Sequence, residues 1–221
     1  MSANKRPRRL YRYVIDHDKG FAPNPFFNVC TLACCKPVIR KGAELGDVIV
    51  GYGPAKHDLS GQIIYWMMVD EIMSYDDYWD EPEFEKKRPR TGGSLMLNFG
   101  DNIYHHDEAT GQWIQEHSFH SDENSLHGGG NLKRDTDRTD RVLIGREYAY
   151  WGAKGPRPPN EFKEFVRRGR GQIYNVDCEA KKEAFIAWLQ GIPDRGLIHD
   201  PADWSRDKKV RMLLDRKPVT C

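Results

Sequence analysis

The chain has 221 residues, of which 38% are hydrophobic and 30% are charged, and its 34 Lys and Arg side chains nearly balance 33 Asp and Glu. A chain of this length can bury a substantial core, and its near-neutral charge argues against nucleic-acid binding driven by overall charge. It has no apolar run of the roughly 18 residues that a membrane span needs, and its start, MSANKRPRRLYRY, lacks the apolar centre of a signal peptide. We therefore expect a soluble, cytoplasmic protein with a basic N-terminal tail over residues 1–9 and one domain over residues 10–221.

The first part of this domain, residues 10–152, has the patterns of β-strands. LYRYVID, GDVIVGYG and QIIYWMMVDEI are apolar or alternating runs rich in β-branched and aromatic residues. SLMLNFGDNIYHH predicts two strands about a turn at residues 100–102, DEATGQWI predicts a third strand, and DRVLIGREYAYWG predicts further β-structure. The residue types of NVCTLACCKPVIR allow either a short helix or a strand. The three strands predicted in SLMLNFGDNIYHH and DEATGQWI would form an antiparallel meander.

Helical patterns dominate residues 158–215. The first helix is predicted after Pro158, the second after an N-cap at Asp177, and the third from Pro201 towards Leu214. The predicted buried faces consist of Phe162, Phe165 and Val166 in the first helix and of Phe185, Trp188 and Leu189 in the second. The sequence therefore predicts an α+β fold, with a small, curved, mostly antiparallel sheet or barrel and with helices concentrated in the C-terminal third.

Three of the five cysteines, Cys30, Cys34 and Cys35, lie in the apolar stretch FFNVCTLACC. We expect them to be reduced and buried. A structural zinc site would need paired cysteines, whereas Cys178 and Cys221 stand alone, so zinc is not expected. Apolar surroundings disfavour the charged thiolate, which argues against Cys34 or Cys35 as a nucleophile.

Over YRYVIDHDKGFAPNPFFNVCTLACCKPVIRKGAELGDVIVGYG, and again over YWMMVDEIMSYDDYW and GREYAYWGAKGPRPP, the chain resembles the nucleotide modification associated domain 2 family. The resemblance implies association with systems that make, recognise or remove altered nucleobases, often around phages and bacterial defence, and it supplies no catalytic residue. The succession of GDVIVGYG and QIIYWMMVDEI is also similar to PUA-like and EVE-type domains, small β-barrels that often hold a modified base in an aromatic pocket.

Aromatic side chains near loops are candidates for stacking on a nucleobase. We predict that Tyr78, Trp79 and Trp151 contact the ligand, since stacking on one base contributes about 1–3 kcal/mol. The alternative is that they are ordinary core residues. Tyr65 and Trp66 are consecutive in a predicted strand, so at most one of them can face such a pocket.

Basic residues beside glycines are candidates for phosphate contacts. Lys154 and Arg157 lie in WGAKGPRPP, and Arg167 and Arg170 lie in RRGRGQ. Guanidinium groups match phosphate oxygens, and glycine permits close approach of the backbone. RRGRGQ also fits an ordinary helix C-terminus, where arginine favours the helix dipole and glycine ends the last turn.

The polar stretch EHSFHSDENSLHGGGN, residues 116–131, lies between predicted strands, and its glycines 128–130 could form a hinge. The predicted acid/base residues are His117, His120 and Asp122, and further predicted ligand contacts are His127 and Asn131. Histidine suits proton transfer because its ordinary pKa of roughly 6.5 lies near neutral pH. Metal binding would require an irregular loop that gathers the histidines at positions 117, 120 and 127, with His105 or His106. A solvated loop without a function is the remaining alternative.

Three functions are compatible with these patterns. The first is recognition of a modified nucleobase or nucleotide, free or in nucleic acid, in a nucleotide-modification or phage-defence system. The alternative is an enzyme that acts on the same ligand with His117 and His120 as acid/base residues. The third is a structural protein that assembles through its charged runs. We expect a modified nucleotide or nucleic acid as the partner, no cofactor and no membrane, and the sequence leaves any protein partner open.

Overall fold

The computed structural model describes residues 6–90, 92–121, 130–169, 171–173 and 178–206. In chain order its strands are β1 (Leu10–Val14), β2 (Cys30–Leu32), β3 (Val48–Tyr52), β4 (Ile63–Met68), β5 (Glu71–Met73), β6 (Tyr104–His106), β7 (Trp113–Gln115), β8 (Val142–Gly145), β9 (Tyr148–Tyr150), β10 (Gln172–Ile173) and β11 (Gly196–Leu197). Its α-helices are α1 (Pro37–Gly42), α2 (Tyr75–Asp80), α3 (Leu95–Asn98), α4 (Asn131–Thr136) and α5 (Glu179–Gly191), and 3-10 helices occupy Ala55–His57, Pro82–Lys87, Gly152–Lys154 and Asn160–Phe165. Within this part of the chain no helix combines the length and the apolarity needed to cross a bilayer.

The largest described sheet has the strand order β10-β1-β3-β4-β9-β11. Strands β3, β4 and β9 are antiparallel neighbours, whereas β1 runs parallel to β3 and β11 runs parallel to β9. Both faces of the sheet are covered, because Tyr65 packs in one core cluster and Trp66 packs in another with Phe185 of α5. The prediction that Tyr65 and Trp66 point to opposite faces is therefore confirmed, as the two-residue period of a strand requires.

The predicted α+β class is confirmed, but the finer architecture differs from the prediction. The PUA-like β-barrel is not confirmed, because the described sheet ends at β10 on one side and at β11 on the other, and a closed barrel has no such edges. The concentration of helices in the C-terminal third is not confirmed either, since α1 to α4 all end by Thr136.

The local predictions hold where the apolar pattern is continuous. The strands predicted in LYRYVID, GDVIVGYG, QIIYWMMVDEI and DRVLIGREYAYWG are present, and DEATGQWI turns into β7. NVCTLACCKPVIR contains β2 and the first four residues of α1. The strand predicted before residue 100 is wrong, because Ser94 caps α3 by accepting a hydrogen bond from the Leu97 amide. Leu95 and Phe99 are both buried at the four-residue spacing of a helix face.

The predictions for the C-terminal helices and for the N-terminal tail are confirmed only in part. Helix α5 is present and buries Phe185 and Leu189, whereas a 3-10 helix at Asn160–Phe165 replaces the first predicted helix. Residues 201–206 form turns, and the rest of the third predicted helix lies outside the described residues. The described part of the basic tail packs against the domain, since Arg6 pairs with Asp47 at 2.8 Å.

Two smaller sheets position the candidate site. One has the antiparallel order β2-β8-β5, and the other is the hairpin of β6 and β7. Strand β2 leads through a short turn into α1, and α4 packs against α1. Residues distant in the sequence therefore meet at the turn that follows β2.

Candidate functional site

The turn between β2 and α1 separates two neighbouring cysteines. Cys34 is fully buried, and burial raises the pKa of its thiol well above the usual range. Cys35 is only partly buried, and both Cys35 and Lys36 have left-handed backbone conformations with φ of 57° and 43°. Such a conformation costs a residue with a Cβ about 1–2 kcal/mol. The surrounding contacts therefore have to hold this turn in place, and strain of this kind is concentrated at functional sites.

Buried polar groups fix the turn on both sides of Cys35. The Cys35 amide donates to Asp135 Oδ1 at 3.0 Å, and the Cys35 carbonyl accepts from Arg40 Nε at 2.8 Å. Arg40 is fully buried, and its Nη1 also donates to the Tyr75 hydroxyl at 2.7 Å and to the Arg141 carbonyl at 3.0 Å. A buried guanidinium with these partners ties α1 to the site.

Asp135, on α4, has a fully buried side chain that accepts four hydrogen bonds. Oδ1 accepts from the Cys35 amide at 3.0 Å and from Arg134 Nε at 3.3 Å. Oδ2 accepts from the Tyr104 hydroxyl and from His120 Nε2, each at 3.2 Å. Burial acts to raise the pKa of Asp135, but the hydrogen bond from His120 and the charge of Arg134 outweigh it and hold the pKa below its ordinary value. The group is therefore a carboxylate at neutral pH.

Three groups converge on Nε2 of His120: Asp135 Oδ2 at 3.2 Å, Cys35 Sγ at 3.8 Å and Arg134 Nη2 at 2.9 Å. Burial acts to lower the pKa of His120, but the hydrogen bonds with Asp135 and Cys35 raise it from 6.5 to about 9. A proton on Nε2 can be donated to Asp135 and to Cys35, whereas a lone pair on Nε2 could accept a hydrogen bond from Arg134 alone. The negative charge of the buried Asp135 carboxylate favours the protonated ring, so His120 is an imidazolium at neutral pH.

The loop that carries His120 is anchored to the start of α4. Asn131 Nδ2 donates to the His120 carbonyl at 2.9 Å, and the His120 amide donates to Ser118 Oγ at 3.0 Å. The Phe21 ring packs on the imidazole, with 4.7 Å between ring centroids. Residues 122–129, which include Asp122 and His127, lie outside the described residues. The two described ends of the polar stretch thus both contribute to one site.

Cys35, His120 and Asp135 also form a set of potential metal ligands, with one ligand atom of each within 4.8 Å of the others. Thiolate, imidazole and carboxylate are the donors that zinc accepts, and three protein ligands leave a position for water or substrate. However, the carboxylate is already saturated by four protein donors, and the Arg134 guanidinium lies beside Nε2. A metal ion would need a free lone pair on Nε2 and a free carboxylate oxygen, and both are already engaged by protein groups, so we interpret the cluster as a thiol–imidazole site.

The model of the nucleotide modification associated domain 2 family matches residues 7–208. The chain belongs to this family. The match spans β1 to α5, so the Cys35 turn, the His120 loop and α4 all lie within the nucleotide modification associated domain. No curated protein and no solved structure matches the chain. The family connects the domain with nucleotide modification.

Within this nucleotide modification associated domain, the predicted aromatic contacts are occupied by other protein groups. Tyr78 is fully buried and its hydroxyl donates to Asp101 Oδ1 at 2.8 Å, and Trp151 is buried with its Nε1 donating to Asp194 Oδ2 at 2.6 Å. The ring of Trp79 is half-buried. The His105 ring stacks on it with 4.0 Å between ring centroids, and the Arg88 guanidinium lies 3.9 Å from the Trp79 centroid. The role of these aromatic side chains in ligand binding stays a prediction.

The predicted phosphate contacts lie apart from the thiol. Lys154 is exposed at the end of a 3-10 helix, and Arg157 is exposed and donates to the carbonyls of Ser60 and Asp58. Arg167 is partly buried, and Arg170 lies outside the described residues. Their assignment to a ligand also stays a prediction.

The predicted histidine cluster divides among different partners. His120 joins Cys35 and Asp135, whereas His117 is exposed. His105 bonds Glu116 at 3.1 Å, and His106 bonds Asp76 at 2.8 Å. Of the predicted metal-binding histidines that the structure describes, His120 is the member of the potential ligand set.

Sequence reasoning missed Cys35, Arg134 and Asp135. The apolar stretch FFNVCTLACC predicted one environment for all of its cysteines, but the left-handed turn gives Cys34 and Cys35 different ones. The available signal was Pro37, which favours the first turn of a helix and so indicates that Cys35 lies between a strand and a helix. Asp135 has no comparable signal, because NLKRDTDRTD reads as an ordinary polar run.

Proposed function

We propose that this domain is an enzyme that acts on a nucleotide or nucleic acid in a nucleotide-modification system, with Cys35 as its nucleophile. The observation that carries the proposal is the 3.8 Å between Cys35 Sγ and His120 Nε2, beside the buried Asp135 carboxylate. A thiol and an imidazole within hydrogen-bonding reach, with a third group that orients the imidazole, form the arrangement that nucleophilic catalysis uses. Such contacts are often longer without substrate than in the reacting complex.

The surroundings of Cys35 place cationic groups beside its sulfur. Arg134 Nη2 lies 3.9 Å from Cys35 Sγ, and Nε2 of the His120 imidazolium lies 3.8 Å from the same sulfur. Neighbouring cations stabilise the charged form of a cysteine, which is the nucleophilic form. The backbone supports the same role, because a strained turn between a strand and a helix is a known way to present a nucleophile. The left-handed Cys35 occupies such a turn between β2 and α1.

His120 enters the reaction as an acid. With its pKa raised to about 9, His120 carries a proton on Nε2 at neutral pH. When the Cys35 thiolate attacks an electrophilic carbon of the substrate, a C–S bond forms and an electron pair moves to a neighbouring or leaving atom. The Nε2 proton of His120 passes to that atom, so charge and protons balance. Water then attacks the same carbon, the C–S bond breaks to restore the Cys35 thiolate, and the proton of the water returns to His120. Asp135 is a positioning residue, because it holds the imidazolium and the Cys35 amide without reaching the substrate.

The test follows product formation from a panel of nucleoside monophosphates and short oligonucleotides, with ordinary and substituted bases, by mass spectrometry. We expect Cys35→Ser to abolish the product and His120→Gln to slow its formation by about 10²- to 10⁴-fold. Cys178→Ser is the matched control, because Cys178 is an exposed cysteine away from the cluster. Undiminished product from Cys35→Ser would refute the nucleophile.

Recognition of a modified base without catalysis is the second candidate. The observation that favours it is a groove beside α1 lined by Arg9, Lys41 and Arg138, which supplies positive charge for a ligand phosphate. In the same assay, a nucleotide that binds wild-type and Cys35→Ser protein equally, and is recovered unchanged from both, supports recognition. Loss of turnover with binding retained supports the enzyme.

A further inference from the structure

A solvent-open cavity of about 500 Å³ lies between the start of β1 and helix α1. The residues that line it include Arg9, Tyr11, Pro37, Val38, Lys41 and Arg138. We call this cavity the α1 groove. In the part of the chain that the structure describes, its charged lining residues are all cations, although the whole protein is close to neutral. The side-chain charge that lines this groove is therefore positive.

Two cations of the α1 groove are exposed, and two acids of the neighbouring loop are bound to other groups. Asp47 is buried and accepts from Arg6 Nη2 at 2.8 Å and from the Arg9 amide at 2.7 Å. Glu44 pairs with Arg141 at 3.4 Å. Lys41 and Arg138 are both exposed on the groove. An anion that enters therefore meets ammonium and guanidinium groups, which are the phosphate-binding groups of proteins.

The groove and the thiol site share two structural elements. Helix α1 begins two residues after Cys35 and supplies Pro37, Val38 and Lys41 to the groove. Lys41 lies four residues beyond Pro37, which is about 6 Å along a helix. Arg138 follows α4, the helix that carries Asp135. One short segment, which comprises Cys35 and helix α1, therefore carries the thiol and part of the groove lining.

We propose that the α1 groove binds the phosphate groups of the substrate whose reacting base lies at Cys35. The position of the base at Cys35 rests on the proposed function. Binding of the phosphate groups is measured without catalysis. A free nucleotide and a nucleic-acid strand share the phosphate chemistry, and the experiment separates them.

The experiment measures binding in Cys35→Ser protein, which removes turnover from the readout. The groove variant carries Lys41→Glu and Arg138→Glu, and the matched control carries Lys56→Glu and Lys163→Glu, which are exposed and change the net charge equally. The probe is a fluorescein-labelled single-stranded DNA 12-mer followed by anisotropy at several salt concentrations, with thymidine 5′-monophosphate as competitor. Circular dichroism of each variant verifies that the fold is kept.

We expect the groove variant to bind the strand on the order of tenfold more weakly and to lose about 1.4 from the slope of log K against log salt, because each lost phosphate contact on a single strand contributes about 0.7. We expect the control to match the parent. If the monophosphate competes with the strand and the groove variant weakens this competition, a free nucleotide is sufficient for binding in the groove. If the groove variant weakens binding of the strand but not of the monophosphate, the ligand is a polynucleotide. Equal effects of groove and control variants on both probes overturn the proposal.

The two proposals fail separately. If binding depends on the α1 groove but Cys35→Ser leaves turnover intact, the phosphate contact stands and the nucleophile is refuted. If Cys35→Ser abolishes turnover while the groove variant binds both probes like its control, the nucleophile stands and the groove is refuted.

Discussion

Replacing Asp135 by Asn tests whether one buried carboxylate organises the thiol–imidazole site. The substitution keeps the size of the side chain but removes the charge that faces His120 and Arg134, and it turns one acceptor oxygen into a donor. The rise of the His120 pKa from 6.5 to about 9 corresponds to about 3 kcal/mol in favour of the imidazolium. The His120 side chain is only 13% exposed, so solvent screens this interaction little.

We expect the His120 pKa in Asp135→Asn to fall to 6.5 or below, because burial, which lowers the pKa, then meets little opposition. We expect the free energy of unfolding to fall by about 3–5 kcal/mol, the usual effect of breaking a buried charged network. The imidazole resonances are titrated by NMR, and stability is measured by urea unfolding. Asp137→Asn, an exposed change two residues further along the chain, should leave the His120 pKa unchanged and should alter the free energy of unfolding by no more than about 0.5 kcal/mol. A His120 pKa that stays near 9 in the Asp135→Asn protein would refute the reasoning.

Three further outcomes are expected. Because the folded pKa of His120 is raised from 6.5 to about 9, its contribution to stability is complete below pH 6.5 and is lost as the pH rises through 9, so the unfolding free energy of wild type relative to His120→Gln should fall by about 3 kcal/mol across that window. Iodoacetamide at neutral pH should alkylate Cys35 ahead of the fully buried cysteines, and His120→Gln should slow this on the order of tenfold by peptide mapping; an unchanged rate contradicts the thiolate pairing. Gly155→Ala should destabilise by about 2–4 kcal/mol in thermal unfolding, because its Cβ would lie 1.8 Å from the Ile63 carbonyl oxygen, whereas Gly191→Ala, with open space, should be tolerated.

The sequence by itself determined the elements whose signals are local. The runs LYRYVID, GDVIVGYG and QIIYWMMVDEI form strands because each carries its β-branched and aromatic residues within a few positions. Helix α5 forms where apolar residues recur at helical spacing before Pro193. These signals also carried the α+β class and the family resemblance, since both depend on runs of neighbouring residues.

The tertiary structure alone decided how those elements meet. The exact pairing of β1 with β3, in parallel, depends on contacts between strands and cannot be read from either strand. The histidine stretch predicted a polar loop near a ligand, and His120 does lie beside Cys35, but the same pattern favoured His117 equally. Residue type and spacing do not report which of two nearby histidines faces inwards.

The site itself is a product of long-range packing. Cys35 and Asp135 are 100 residues apart in the chain, and Cys35 and His120 are 85 apart. Periodicity describes neighbours within one or two turns of an element, whereas this cluster arises because α4 packs on α1 and a left-handed turn leaves Cys35 partly exposed at the edge of the core that buries Cys34. Local pattern therefore determined the strands and α5, and only the packing of distant segments brought a thiol, an imidazole and a buried carboxylate within 4.8 Å.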